Sequence, residues 1–203
     1  KLNPGEVNLA LKGHLHPAGK GINVAMVLRD LGQQCIVTGV LGEDNRKSFD
    51  TLFTEKSLIS HFLYENGSTR TNVKLSEASG RVTDINLPGL NVQQITFQGL
   101  RERLELLTKA SDLFVLSGSL PKGLGPNVYA ELTSMLKRMG RKAIVDTSGA
   151  ALHAAIDAVP FMVKPNVEEM EQWVGRSLFH RSEQEVVVRN WLQKGIQHVV
   201  VSE

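Results

Sequence analysis

The sequence predicts an α/β fold: a mainly parallel sheet covered by helices on both faces, with a small antiparallel β element beside it. Three observations carry this expectation. Short apolar runs of strand length alternate with amphipathic segments of helix length through most of the chain. Strands separated by such helices need right-handed crossovers and therefore lie parallel. One stretch, from Arg70 to Pro88, breaks the alternation with two period-two runs around the turn EASG.

Each element follows from its local pattern. EVNLALKGHLH (residues 6–16) alternates apolar and polar side chains and is expected to join the antiparallel strands. NVAMVLRDLG places Val24, Val27, Leu28 and Leu31 on one helical face, with Gly32 at its end. CIVTGVLG is a short apolar strand closed by Gly42. EDNRKSFDTLFTEK is a polar helix whose buried face is Phe49, Leu52 and Phe53. NVKLS and RVTDINL are the antiparallel pair. DLFVLSG is a strand, and GPNVYAELTSMLKRMG a helix starting at Pro126 and stopping at Gly140. KAIVDTSG, FMVKPN and HVVVS are further strands. An antiparallel flap near a glycine loop suggests a lid over a ligand. An edge extension or subunit contact is the alternative, and the two are compatible.

Composition narrows the function classes. A chain of 203 residues buries one sizeable core. The apolar fraction of 41% and charged fraction of 22% are ordinary for a globular protein. A net charge of +2, evenly spread, is too mild for a nucleic-acid partner. Cys35 is the single cysteine and lies in an apolar run, so it reads as a buried thiol with no internal disulfide. No apolar run approaches the ~20 residues of a membrane span, and no secretory pattern opens the chain. A soluble cytoplasmic protein with no membrane partner is the expectation. Repeats, low-complexity tracts and long charge runs are absent from the sequence. Both ends read as cut: the chain opens at KLNPGEVNLAL without an initiator methionine and stops at HVVVSE, directly after a strand-like run.

The chemistry concentrates in HPAGKGINVA (residues 16–25). A Walker loop would need glycine at position 14 and Ser or Thr after the lysine, where the chain has His14 and Gly21. A dinucleotide fingerprint would need a third glycine where Val24 stands. The loop nevertheless precedes a helix, whose N–H groups and dipole favour an anion. Glycines let the backbone approach a ligand. Lys20 adds a compact positive charge, and Asn23 both donates and accepts. Gly19, Lys20, Gly21 and Asn23 therefore suit a polyhydroxylated, anionic small molecule. A plain turn with an Asn helix cap is the competing explanation.

Arg70 stands at the mouth of the flap, and guanidinium fits phosphate bidentately. Lys74, on the same strand face, is a weaker candidate. Ser117, Gly118 and Ser119 follow a strand where ligands gather in parallel sheets, although a ligand-free Ser/Gly/Pro turn looks the same. Asn166 and Glu169 have the spacing of a helix capping box. His14, His16, His61, His153, His180 and His198 show no metal-ligand spacing and take surface or packing roles. There is no nucleophile elbow, zinc motif or basic aromatic patch in the sequence.

AGKGINVA, followed by Gly32 and Gly42, resembles the first signature of the ribokinase-type sugar kinases, the phosphofructokinase-B family. STRTNVKL, LSGSLPKG and VKPNVEEME are most similar to its 1-phosphofructokinase branch and to the neighbouring tagatose-6-phosphate kinases. The resemblance spans essentially the entire chain. It implies a ribokinase-like three-layer sandwich with β lid strands in 1–17 and 70–88. The α/β kinase core then occupies 18–69 and 89–203 and is incomplete at the C-terminus.

The implied reaction is phosphorylation of fructose 1-phosphate to fructose 1,6-bisphosphate by ATP with Mg2+. Tagatose-6-phosphate or 6-phosphofructokinase activity is the alternative. A nucleoside kinase is disfavoured, because Lys20 and Arg70 suit a substrate that already carries phosphate. By resemblance Gly19, Lys20, Gly21, Asn23, Arg70 and Ser119 hold the substrate. Lys164, Asn166, Glu169 and Ser202 serve the nucleotide, with Glu169 organising magnesium through water. The lid strands imply a homodimer. The family's general base is the aspartate of a Gly-Ala-Gly-Asp run, expected beyond Glu203. No catalytic residue is then expected within the chain, and the 203 residues alone are expected not to turn over. A non-catalytic sugar-phosphate binder is the alternative from another class. A sheet edge left uncovered at the end of the chain predicts poor solubility or association.

Overall fold

A computed structural model describes residues 2–202. The first half runs α1 (Lys20–Asp30), β1 (Ile36–Val37), β2 (Val40–Gly42), α2 (Arg46–Glu55), β3 (Ile59–Ser60), β4 (Leu63–Glu65), β5 (Asn72–Ser76) and β6 (Val82–Asn86). The second half runs α3 (Gln94–Leu107), β7 (Leu113–Ser117), α4 (Val128–Arg138), β8 (Lys142–Asp146), α5 (Gly149–Asp157), β9 (Met162–Val163), α6 (Val167–Val174), α7 (Arg181–Gln193) and β10 (His198–Val199).

The second half forms a four-stranded sheet in the order β10-β9-β8-β7, all neighbours parallel. Helices alternate with these strands, so each strand re-enters the sheet in the same direction and all strands end at one edge. LFVLS and KAIVD pair in register from Leu113↔Lys142 to Ser117↔Asp146. Phe114, Leu116, Ala143, Val145 and Val163 project into a core shared with Leu132, Leu136, Leu152 and Ile156. Trp191 is completely buried and meets Trp173 edge-on at 5.3 Å, fastening α7 to α6. The last two residues of the ladder, Ser117 and Asp146, lie side by side where the strands stop.

The first half has a smaller core of Ile22, Ala25, Val37, Leu41, Phe49, Phe53 and Leu58. CIVTGVLG, expected as one strand, is two short ones, pairing parallel with β3 and β4. The break falls at Thr38–Gly39, where the Phe62 ring lies 3.1 Å from the position of a Gly39 Cβ. The ladder resumes through His61 N–H to Val37 O at 2.8 Å and Leu63 N–H to Gly39 O at 2.9 Å. The partner strands β3 and β4 lie in LISHFLYE, which the sequence patterns do not single out. α2 buries Phe49 and Phe53, with Leu52 half-buried beside them, as expected.

Two further expectations are corrected. α1 buries Ile22 and Ala25, whereas Val27 and Leu31 are 57% and 70% exposed. The helix carries two apolar stripes, and packing on β1 and β7 selects the one bearing the small Ala25. α4 begins at Val128, two residues past Pro126, because the chain first turns through Pro126 and Asn127. Gly140 terminates it with φ 71°, as expected of a C-terminal glycine.

β5 and β6 form the antiparallel hairpin read from the sequence, in register from Asn72↔Asn86 to Ser76↔Val82. EVNLALKGHLH does not join it: residues 7–10 and 12–19 have no regular structure. Val7, Leu9 and Leu11 are at least 90% exposed. A strand exists only through a hydrogen-bonded neighbour, and among the described residues this segment has none. Its backbone contacts are local, such as Asn8 Nδ2 donating to Asn3 O at 2.9 Å. The base of the hairpin is fixed by Gly42: a Cβ there would lie 2.3 Å from Thr69 N and 2.4 Å from Gly67 O. Only glycine lets β2 close onto the loop that leads into the hairpin.

Candidate active site

The edge at which the parallel strands stop collects the polar groups of the site. β7 ends at Ser117, β8 at Asp146, and β9 continues directly into Lys164, whose N–H donates to Val145 O at 3.1 Å. α1 packs against β7. Its Gly21 lies so close that a Cβ would sit 3.4 Å from the Ser117 hydroxyl. The glycine loop is thereby brought to the strand ends, although about 100 residues of chain separate the two.

One carboxylate unites this edge. Lys20 Nζ donates to Asp146 Oδ1 at 2.9 Å, and Lys164 Nζ lies 3.6 Å from Asp146 Oδ2. The Asp146 side chain is 14% exposed, against 49% for Lys20 and 37% for Lys164. The anion forms the floor and both ammonium groups face solvent. Lys20 is also the first residue of α1, where the helix dipole disfavours a cation and the helix's own first turn carries no acidic side chain to offset it. Gly19, the N-cap, supplies no side-chain bond, so the first N–H groups of α1 remain available to an anionic ligand.

The turn after β7 is held from behind. The Tyr129 hydroxyl bonds Ser117 O at 3.1 Å and Gly118 O at 3.0 Å, and Thr147 Oγ1 donates to Gly118 O at 2.8 Å. Burial, reinforced by the Asp146 charge, pushes the Tyr129 phenol up to about 12. Tyr129 therefore stays protonated as a fixed donor across the physiological range. Ser117 Oγ is buried beside Gly21 and has no hydrogen-bond partner among the described residues.

Asn166 and Glu169 form the capping box that their spacing predicts. Glu169 N–H donates to Asn166 Oδ1 at 2.7 Å, and Asn166 N–H donates to Glu169 Oε2 at 3.0 Å. Ser202 lies alongside, bridging Asn166 and donating its N–H to Pro165 O at 3.0 Å. Glu169 Oε1 has no hydrogen bond or ion pair among the described residues. One open carboxylate oxygen fits a water-mediated magnesium contact, since Mg2+ often keeps several waters and needs few protein ligands. No cluster of three or more His, Cys, Asp or Glu that could cage a metal directly occurs among the described residues.

The structure thus brings together Gly19, Lys20, Gly21, Ser117, Gly118 and Lys164, with Asn166 and Glu169 at the adjoining start of α6 and Ser202 bridged to Asn166. Asn23 is the fourth residue of α1 and exposed, so it is not the cap of that helix. Ser119 is exposed just past the β7 turn. Arg70 stands apart, exposed at the entrance to the hairpin, with no ion pair or hydrogen bond of its side chain among the described residues. Gly89 packs on it, a Cβ there falling 2.9 Å from Arg70 Cβ. Lys74 is taken up at 3.5 Å by Asp84 across the hairpin. Sequence reasoning missed Asp146, Tyr129 and Thr147. The available signal was the rule that singled out Ser117: Asp146 also ends a strand of the parallel sheet.

The chain belongs to the pfkB family of carbohydrate kinases, whose description matches residues 1–203. Its curated relatives include the 1-phosphofructokinase of Vibrio cholerae, 43% identical over all of this chain and 64% of the relative. The 1-phosphofructokinase of Escherichia coli K12 is 40% identical over all of this chain and 65% of its own length. The chain therefore spans a little under two thirds of these relatives. Among solved structures, a Thermotoga maritima protein described as a possible 1-phosphofructokinase superposes with a TM-score of 0.85 at 26% identity, covering 98% of this chain and 63% of its own. Escherichia coli phosphofructokinase-2 in complex with fructose-6-phosphate gives 0.82 at 27% identity over 96% of this chain and 67% of its own. Ribokinase from Thermotoga maritima, at 20% identity and a TM-score of 0.74 over 98% of this chain and 64% of its own, shares the fold. The ribokinase-like architecture expected from the glycine signature is the one observed. No helix among the described residues is long and apolar enough to cross a membrane.

Proposed function

We propose that the protein carrying this chain transfers the terminal phosphoryl group of ATP to fructose 1-phosphate, giving fructose 1,6-bisphosphate. The observation that carries this reading is the convergence of Lys20 and Lys164 on one strand-end carboxylate, beside an uncapped helix N-terminus. Phosphoryl transfer depends on positioning and charge stabilisation, and this edge supplies both cations and N–H donors. The substrate assignment is supported by whole-chain similarity to relatives named 1-phosphofructokinase.

In this reading Gly19, Lys20, Gly21, Asn23 and Ser119 line the sugar side. Arg70, uncommitted at the hairpin mouth, takes the phosphate already on the sugar, bidentately. Lys164, Asn166, Glu169 and Ser202 lie on the nucleotide side. Mg2+ with ATP, held through Glu169 and water, would neutralise phosphate charge there. Asp146 is no candidate for the base that deprotonates the sugar hydroxyl, because both its oxygens face ammonium groups.

The hairpin of β5 and β6 is a two-stranded sheet, an arrangement marginal in water without cover. Val82 and Ile85 on β6 are 52% and 46% exposed. We assign this hairpin to a homodimer contact in the cytoplasm, testable by sedimentation of the natural protein with and without Ile85→Lys.

The activity is tested by coupled ADP release with the purified natural protein and fructose 1-phosphate, fructose 6-phosphate and tagatose 6-phosphate. The expected result is the highest kcat/KM for fructose 1-phosphate. A preference for either other sugar overturns the substrate assignment. Sugar-phosphate binding without ADP release would make the protein a binder and overturn the reaction.

A further inference from the structure

We propose that Asp146 is a positioning residue for this transfer: its carboxylate holds Lys20 and Lys164 in register at the seam between the sugar loop and the nucleotide side. The inference rests on the function proposed above and assigns a role to a residue outside every motif that suggested it. Among the described residues Asp146 is the one side chain ion-paired to both Lys20 and Lys164.

Both lysines are costly to hold in place. Each has a flexible four-carbon stem and loses much rotamer freedom when fixed. Among the described residues neither ammonium group has another hydrogen bond or ion pair. They arrive from elements far apart in sequence, the first turn of α1 and the end of β9. Without an anion between them, two ammonium groups near one point repel each other. Lys20 carries the further penalty of the α1 dipole. Asp146 opposes all three effects from a position fixed by the β7–β8 ladder, where it pairs with Ser117.

The arrangement leaves capacity for a ligand. An ammonium has three donors, and Asp146 occupies one of those on Lys20. The remaining donors are open to a ligand, since the Lys20 side chain is 49% exposed above a carboxylate only 14% exposed. Two cations are therefore in place before substrate arrives, one on the sugar side and one on the nucleotide side. A phosphoryl group in transit spreads its charge over oxygens that need such a pair. The charge of Asp146 matters as well as its shape: asparagine keeps the shape, and glutamate keeps the charge but moves it by one methylene.

The test is a mutant cycle in the natural protein carrying this chain. Kinetics and melting temperature are measured for wild type, Asp146→Asn, Asp146→Glu, the double variant Lys20→Met/Lys164→Met, and that double variant with Asp146→Asn added. Asp146→Asn is expected to lower kcat about 10²-fold, the cost typical of a misplaced catalytic group. Added to the double lysine variant, it is expected to cost less than about threefold, because nothing remains to position. Asp146→Glu is expected to lie between Asn and wild type, and it carries the test should the Asn variant fail to fold.

Calorimetric titration with ATP gives a readout independent of turnover. Asp146→Asn is expected to weaken ATP about tenfold when Lys164 is present, and not in Lys164→Met. A loss of equal size with and without the lysines overturns the proposal, as does an Asn variant with unchanged kcat and ATP affinity. Should wild type prefer another sugar phosphate, or turn none over, the assigned function falls. The same cycle on the preferred sugar, or on ATP binding alone, still decides the role of Asp146.

Discussion

Lys20→Met separates function from fold, and its two effects can be weighed in advance. The ion pair with Asp146 is half-exposed, which limits its worth to about 0–1 kcal/mol. Methionine removes a cation from the first turn of α1, returning about 0.3–1 kcal/mol from the dipole. It also preserves most of the stem's contact area. Asp146 keeps Lys164 at 3.6 Å and some access to water. The net change in stability is within about 1 kcal/mol, a shift of under ~4 °C in Tm for a domain of this size. Losing a charge-assisted hydrogen bond to substrate, by contrast, removes about 1.5–3 kcal/mol. That is about a 10- to 150-fold fall in kcat/KM for the sugar phosphate. Scanning calorimetry and coupled ADP release on the natural protein read the two quantities separately. Lys194→Met, which breaks the surface pair with Asp157, is the control expected to leave both unchanged. A Tm loss above about 10 °C would make Lys20 a structural residue, and a kcat/KM within twofold of wild type would exclude its contact with substrate.

Asn166→Ala removes the capping box of α6 and is expected to cost ~0.5–2 kcal/mol in urea unfolding, whereas Asn166→Asp keeps the cap and most of that stability. Gly42→Ala forces a methyl into the Gly67–Thr69 backbone and is expected to cost ~1–3 kcal/mol, read as a lower Tm. Glu65 is buried, and the Thr96 hydroxyl, then the Gln93 N–H, hold its carboxyl below the usual range. A depressed folded value stabilises above the unfolded value, near 4.5, and that contribution is lost as pH falls through the folded value. The Tm gap between wild type and Glu65→Gln is therefore expected to be constant from pH 7 to about 5 and to shrink below 4.5. A gap that widens on acidification contradicts this assignment.

The parts of the fold legible in the sequence are those whose pattern is local. The runs DLFVLSG and KAIVDTSG, the buried face of α2 and the hairpin around EASG each carry their own periodicity. The paired short strands at Ile36–Gly42 and Ile59–Glu65 do not, because their break is set by Phe62 lying against Gly39. α1 shows why an apolar stripe is insufficient: two stripes compete, and the shape of the β1 and β7 surface chooses between them. EVNLALKGHLH alternates correctly yet lacks a partner strand among the described residues, and alternation alone makes no hydrogen bonds.

The site divides the same way. Local spacing picked out Lys20 and the Asn166–Glu169 box, and the family resemblance added Lys164. The strand-end position of Asp146 was legible, but its ion pairs were not, because its partners are 126 and 18 residues away in sequence. Only the pairing of β9 with β8 brings Lys164 within reach, and only the packing of α1 on β7 brings Lys20. Glu65 was missed for a related reason: a carboxylate in a short strand declares nothing until Gln93 and Thr96 close over it.

The most direct test is phosphorus NMR of the natural protein incubated with fructose 1-phosphate, ATP and Mg2+. The expected result is that ATP is consumed in step with the appearance of ADP and a hexose carrying two phosphate monoesters. Protein that is folded by its melting curve yet leaves both fructose 1-phosphate and ATP resonances unchanged would contradict it.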